Sequence, residues 1–164
     1  MTRAAGALAA VAALMLAACG FTPMYASPGL GPGLSSIEVK VSKGRLAYLL
    51  GESLNDQLAR DRSQPPIYRL DVSVSSRVFA RGLNLDETAA YYEDNVVVDY
   101  KLVEVATGRV LRESSEPVEI TYAATNAPYA GIAAQEDAQK RAADEAAVRI
   151  RTDLGAYFAT LAKK

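Results

Sequence analysis

Few residues in this chain are equipped for chemistry, and the types that are missing narrow the choice further. The 164 residues include no histidine and a single cysteine, Cys19. Without an imidazole there is no Ser-His-Asp or Cys-His nucleophile, no His-ligated zinc and no imidazole general base. One cysteine cannot close an intramolecular disulfide. Carboxylates stand side by side at Asp86-Glu87, Glu93-Asp94 and Asp144-Glu145. Each pair is flanked by polar residues and reads as solvated surface rather than acid–base machinery. The hydroxyl pairs Ser75-Ser76 and Ser114-Ser115 have no base placed beside them. Gly29-Leu30-Gly31-Pro32-Gly33 lacks the Lys-Ser/Thr that completes a phosphate-binding loop. No cofactor, metal or catalytic residue is expected. Eighteen basic residues against nineteen acidic ones leave a charge of −1, with no cationic field to attract nucleic acid. The residue set points to binding rather than turnover.

Four arginines are candidates for an anionic ligand. Arg77 and Arg81 bracket Val78-Phe79-Ala80 near the end of a predicted strand, and Arg109 and Arg112 flank the start of another. A guanidinium can hold a phosphate through two parallel hydrogen bonds. The competing reading pairs these arginines with nearby acids such as Asp86 and Glu113. Tyrosine dominates the aromatic set, with nine Tyr, three Phe and no Trp. Tyr91-Tyr92 and Tyr129 fall near predicted element ends, where an amphipathic ring suits either an interface or core filling.

The lone cysteine has an N-terminal context of its own. Arg3 precedes an apolar run from Ala4 to Ala18, a secretory signal-peptide pattern over residues 1–18. The run falls short of the roughly 20 apolar residues that span a bilayer. Leu16-Ala17-Ala18-Cys19 resembles the bacterial lipobox, in which small residues fit the signal peptidase and the thiol accepts diacylglycerol. Cys19 is therefore the expected lipidation site. Acyl chains bind a membrane at roughly 0.8 kcal/mol per buried CH₂, and two or more give stable anchoring. Gly20 rather than Asp follows the cysteine, which by resemblance to bacterial lipoproteins points to the outer membrane. Loss of Arg3 with the signal takes the charge to −2.

The elements that must position the arginines follow from periodicity. Residues 19–36 carry the lipidated cysteine and a tether; the Pro- and Gly-rich residues 20–33 are expected to hold neither helix nor paired strand, and 26–36 read as the tether between lipid and domain. The domain is expected over 37–164. Half of the whole chain is apolar, enough for one domain with a core. Ile37, Val39 and Val41 alternate with charged residues as a short strand. Leu46, Leu50, Leu54 and Leu58 predict an amphipathic helix that stops before Pro65-Pro66. Tyr68 to Ser75 alternates again, continuing through Val78 and Phe79 with a change of phase. Gly82 to Thr88 reads as a turn. Tyr91 to Val105 forms the next strand, Thr107-Gly108 a hairpin turn, and Val110 to Tyr122 the last strand, with Pro117 marking a break, bulge or edge. Residues 125–131 read as a loop before a long final helix through Leu161. The order β-α-β-β-β-α predicts an α+β two-layer sandwich, with two helices on a mostly antiparallel four-stranded sheet.

Two segments carry a family resemblance. Cys19-Gly20-Phe21-Thr22-Pro23-Met24-Tyr25 resembles the mature start of LPS-assembly lipoproteins, the LptE family, particularly an alphaproteobacterial branch. Asn126-Ala127-Pro128-Tyr129-Ala130 and the following helix ending Ala156-Tyr157-Phe158 are similar to the same branch. The resemblance implies a non-enzymatic outer-membrane lipoprotein that plugs and helps assemble an LptD-like β-barrel translocon. It also implies contact with lipopolysaccharide during its transfer to the outer leaflet. On position and charge, Arg77 and Arg81 are the first candidates for lipid A phosphates. The low net charge argues that partner contact outweighs lipid contact. An auxiliary lipoprotein of an ABC-type lipid transporter, or a purely structural envelope lipoprotein, fits the same composition.

Overall fold

A computed structural model describes residues 30–83, 89–125 and 127–161. The chain runs through α1 (Leu30–Ser35), β1 (Ile37–Val41), α2 (Arg45–Leu58), β2 (Tyr68–Leu83), β3 (Ala89–Glu104), β4 (Val110–Ala123) and α3 (Pro128–Leu161). The four strands lie in sequence order in one sheet. β1 is parallel to β2, and β2, β3 and β4 form an antiparallel meander. The parallel pair needs a crossover, which α2 supplies. This is the expected α+β architecture of a mixed, mostly antiparallel sheet packed by two helices.

Period-two patterning sets the sheet's inner face. Leu70 opposes Leu102, Val72 opposes Tyr100 and Val74 opposes Val98, so their side chains share the face beneath the helices. Ile37 joins them from β1, and Val118 and Ile120 from β4. Leu50, Leu54 and Leu58 bring the apolar stripe of α2 onto this face. Ala59, in the left-handed conformation, terminates that helix. The Thr107-Gly108 turn forms as expected. Gly108 takes φ 69°, its N–H reaches the Glu104 carbonyl at 2.8 Å, and Glu104 N–H reaches the Arg109 carbonyl at 2.9 Å. Pro117 sits in β4, an outermost strand, where a missing N–H is tolerated. The irregularity in this strand lies elsewhere, at Leu111, which the β3 register skips between Arg112 and Val110.

Three expectations about element boundaries are corrected. Residues 30–36, read as tether, contain α1, and Leu34 is only 8% exposed within the core. A Cβ on Gly33 would approach the Phe158 ring to 3.1 Å, so the missing side chain lets this turn sit on the end of α3. The Pro-Gly composition disfavours a free helix, and packing overrides it. The expected loop 125–131 ends early, because Pro128 opens α3. Proline suits a first helical position, where its N–H would have no partner. The strand beginning at Tyr68 keeps its phase through Arg81 and extends to Leu83, into the predicted turn. Val78 therefore shares the inner side and Phe79 the open side.

α2 and α3 run parallel across the sheet. Arg45 pairs with Glu136 at 3.0 Å, Ser53 donates to Asp144, and Arg151 reaches Gln57. A polar clamp fastens α3 to the meander. Tyr100 Oη donates to Asp153 at 2.7 Å, and Arg112 Nε donates to the same carboxylate at 3.0 Å. Burial by itself would raise the Asp153 pKa. The hydrogen bonds from Arg112 and Tyr100, with the attraction of the guanidinium, outweigh it and hold the carboxyl below its usual range. A depressed folded-state pKa contributes stability above the ordinary aspartate pKa and loses it as pH falls through the folded value.

Two predictions test this account. Leu34→Ala should cost about 2–3 kcal/mol in urea unfolding, as for a core leucine; a tether residue would cost nothing measurable. Asp153→Asn should lose about 1–2 kcal/mol at pH 7, discounted because Arg112 is partly solvated. That deficit should shrink steadily in unfolding measurements taken from pH 5 towards pH 2.

Candidate functional site

β2 and β3 are sixteen residues each and extend past β1, whose pairing stops at Val41 and Val72. The N-terminus of α2 reaches the level of Val74 and Ser76. Further along the hairpin, α3 is the remaining cover. The buried side chains of α3 change size along its length. Ala138, Ala142, Ala143, Ala146 and Ala147 lie on the stretch that runs beside α2, from the Arg45–Glu136 pair to the Ser53–Asp144 bond, whereas Ile150, Leu154 and Phe158 fill the end towards α1. The layer tapers away from the chain's N-terminal end. We call the tapered end, with the β2–β3 tip and the start of α3, the distal end.

Polar groups enter the taper where apolar filling stops. Asp94, read from sequence as solvated with Glu93, is 3% exposed and accepts a 2.6 Å hydrogen bond from Ser76 Oγ. Its phase explains the correction: Asp94 shares the inward side with Val96, Val98, Tyr100 and Leu102. Tyr92 and Tyr122 stack beside it with ring centroids 5.4 Å apart. Burial raises the Tyr122 phenol pKa, and the Asp94 charge adds to the shift.

The open face of the distal end carries the two arginines singled out from sequence. Arg77 and Arg81 point to the same side of β2, about 13 Å apart along the strand. Their situations differ. Arg81 donates through Nε and Nη2 to both oxygens of Glu93, each at 3.0 Å, and its guanidinium lies 5.2 Å from the centroid of the Phe79 ring. Asn95 also donates to Glu93, at 3.1 Å. The hydrogen bond to Glu93 raises the Arg81 pKa, and the reciprocal bond holds the Glu93 carboxyl below its usual range. The Glu93 side chain is 16% exposed, so this is a fork-to-fork pair rather than a loose surface contact. Arg77 lies opposite Asn95 and makes no ion pair among the described residues. It is the freer cation of the two.

Arg109 and Arg112 belong to the other end of the hairpin, about 30 Å away along β3. Arg109 reaches Glu104 at 3.7 Å and Arg112 is held by Asp153, so the partner of Arg112 is not the Glu113 suggested by proximity in sequence. Tyr91 and Tyr129 do gather at the distal end, the first exposed at the start of β3 and the second 89% exposed in the first turn of α3. Val78 and Phe79 are exposed there as well. Cys19, the signal segment 1–18 and the first part of the tether lie outside the described residues. Among the described residues no group of His, Cys, Asp and Glu is arranged to hold a metal. No helix among them is long and apolar enough to cross a membrane.

This hairpin-and-helix arrangement has counterparts. The family model for LptE, lipopolysaccharide assembly, matches residues 34–154. The chain belongs to the LptE family. Its domain resembles a crystal structure from Caulobacter crescentus, described as a candidate lipoprotein, with 42% identity and a TM-score of 0.70. That match covers 82% of this chain and 97% of the other. Rare lipoprotein B of Shewanella oneidensis shares the fold at 17% identity and a TM-score of 0.58, over 76% of this chain and 97% of that one. A lipoprotein B of Nitrosomonas europaea does so at 13% identity and 0.56, over 74% and 82%. No curated protein matches the chain in sequence. The LptE family is one of non-catalytic assembly lipoproteins, in keeping with a site of arginines, tyrosines and paired acids. Its family model starts at Leu34, the residue that brings α1 into the core.

Sequence reasoning found the distal arginines and tyrosines but missed the Ser76–Asp94 bond and the Glu93 pair that occupies Arg81. The strict alternation of β3 carried a signal for Asp94; a cross-strand partner two positions out of register carried none. The Glu93–Arg81 pair can be checked directly. A carbon-detected NMR titration should place the Glu93 carboxyl inflection below the ordinary glutamate range, and Arg81→Gln should move it back up.

Proposed function

We propose that this LptE-family protein is an outer-membrane lipoprotein, anchored through Cys19, that plugs and helps assemble an LptD-like β-barrel and assists lipopolysaccharide insertion into the outer leaflet. The family match over residues 34–154 carries the reading. Dimensions support it. α3, of 34 residues, is about 51 Å long, roughly twice the apolar band of an outer-membrane barrel. The open sheet face is mostly polar, with Arg69, Asp71, Ser73, Ser75, Asp99 and Lys101 outnumbering Phe79, Val97 and Val103, which suits the polar interior of such a barrel.

Lipopolysaccharide contact belongs to the distal end in this reading. Arg77 is the first phosphate ligand, because no carboxylate among the described residues competes for it. Arg81 is the second, available when a phosphate displaces Glu93. Exposed Tyr91 and Tyr129 offer rims for the sugars. The low net charge keeps this contact secondary to the barrel.

Depletion should lower surface lipopolysaccharide several-fold and leave the barrel misassembled; normal levels of both after complete depletion would refute the reading. Crosslinking in native membranes should recover a barrel rather than an ABC transporter. Cys19→Ala should leave the folded domain intact by circular dichroism and release it from the membrane fraction. Arg77→Glu should weaken lipid A binding in solution by about 5–10-fold, the worth of one charge-assisted contact, with a smaller loss for Arg81→Glu.

A further inference from the structure

Among the described residues, the outer edge of β2 beyond β1 is a free sheet edge. Strand alternation assigns its backbone groups. The Val72 carbonyl accepts from Ser42 N–H, and Val74 N–H turns towards Ser42 Oγ, so even-numbered residues of β2 present N–H and C=O away from β3. Odd-numbered residues bond to β3. At Ser76, Val78 and Ala80 the outward N–H and C=O groups have no partner among the described residues. Val78 and Phe79 are also exposed, 46% and 40%. The edge therefore offers unpaired backbone and apolar side chains together, the combination that templates an added strand.

Charge along this edge is one-sided. A groove beside it is lined by Lys43, Gly44, Arg45, Val74, Ser76 and Gln139. Arg77 projects from the strand just beyond. The nearby acids are occupied: Glu136 pairs with Arg45, Glu93 pairs with Arg81, and Asp94 is buried on the inner side with a hydrogen bond from Ser76. Lys43 and Arg77 make no ion pair among the described residues. A second copy of this chain would bring like to like and place two such cationic edges along one seam. An acidic strand would match them.

We propose that the edge of β2 over residues 74–81 is a strand-addition site for an extended, acidic segment of a partner protein. The added strand takes the lateral position that β1 vacates after Val41. Its backbone completes the ladder at Ser76, Val78 and Ala80, and its carboxylates meet Lys43 and Arg77. The site shares Arg77 with the lipid A contact proposed above, but its backbone groups at Ser76, Val78 and Ala80 do not depend on that contact.

The probe is a seven-residue peptide alternating Glu with Val and Thr, mixed with the full-length lipoprotein in detergent. Residue-resolved amide exchange is the readout. The free protein should show slow exchange at Ser75, Arg77 and Phe79 and fast exchange at Ser76, Val78 and Ala80. The peptide should slow the even-numbered amides at least tenfold, and a Lys-for-Glu version should not. Val78→Pro removes an outward N–H while sparing the β3 ladder, so it should keep the thermal transition within a few degrees and abolish the protection. Unchanged even-numbered exchange at millimolar peptide would overturn the proposal. So would protection that appears without peptide and rises with protein concentration, which means self-pairing, or protection produced equally by lipopolysaccharide micelles.

Discussion

The seating of one long helix on one face of the sheet governs this molecule. α3 crosses the meander for most of the hairpin's length, and almost every buried residue outside it is buried against it or against α2 at its side. Its inward residues must therefore fit two depths at once. Large side chains stand towards the end that α1 closes, and alanines stand where α2 runs close alongside. The Tyr100–Asp153–Arg112 clamp pins the helix at the thick end, with the two donors outweighing the burial of the carboxylate. Polar groups at the thin end, Ser76 with Asp94, mark where apolar filling gives out.

That taper produces a two-ended domain. The thick end receives the chain from its N-terminal segment, through α1 packed on Phe158. The thin end carries exposed aromatic rings, an Arg77 with no ion pair among the described residues and a second arginine held by Glu93. A chain of this shape holds its apolar mass where the chain enters the domain and carries its exposed chemistry a helix-length away. Such a layout suits a member of an assembly-lipoprotein family, whose work is contact. It also explains why charge is so evenly balanced. Most cations on the described surface already have acids beside them.

Local physics made much of this readable in advance. Period-two alternation located β1 to β4, and the leucine spacing located α2, because each element must turn its apolar residues to one side. The failures share a cause. α1 forms in a Pro- and Gly-rich segment because Leu34 finds a core, and nothing within the segment announces that core. Pro128 looked like a loop residue because proline stops a helix from inside, yet it starts one equally well. Glu93 and Asp94 are neighbours in sequence with opposite fates, since successive strand residues face opposite sides of a sheet.

The amino-acid sequence by itself determined the class of fold, the absence of histidine chemistry and the positions of the candidate arginines. These depend on residue type and on spacing within one element. Tertiary structure alone decided which arginine is occupied, which carboxylate is buried and which edge of the sheet is left open. Those outcomes depend on what lies across a strand gap of about 5 Å, and that neighbour comes from a residue far away in the chain.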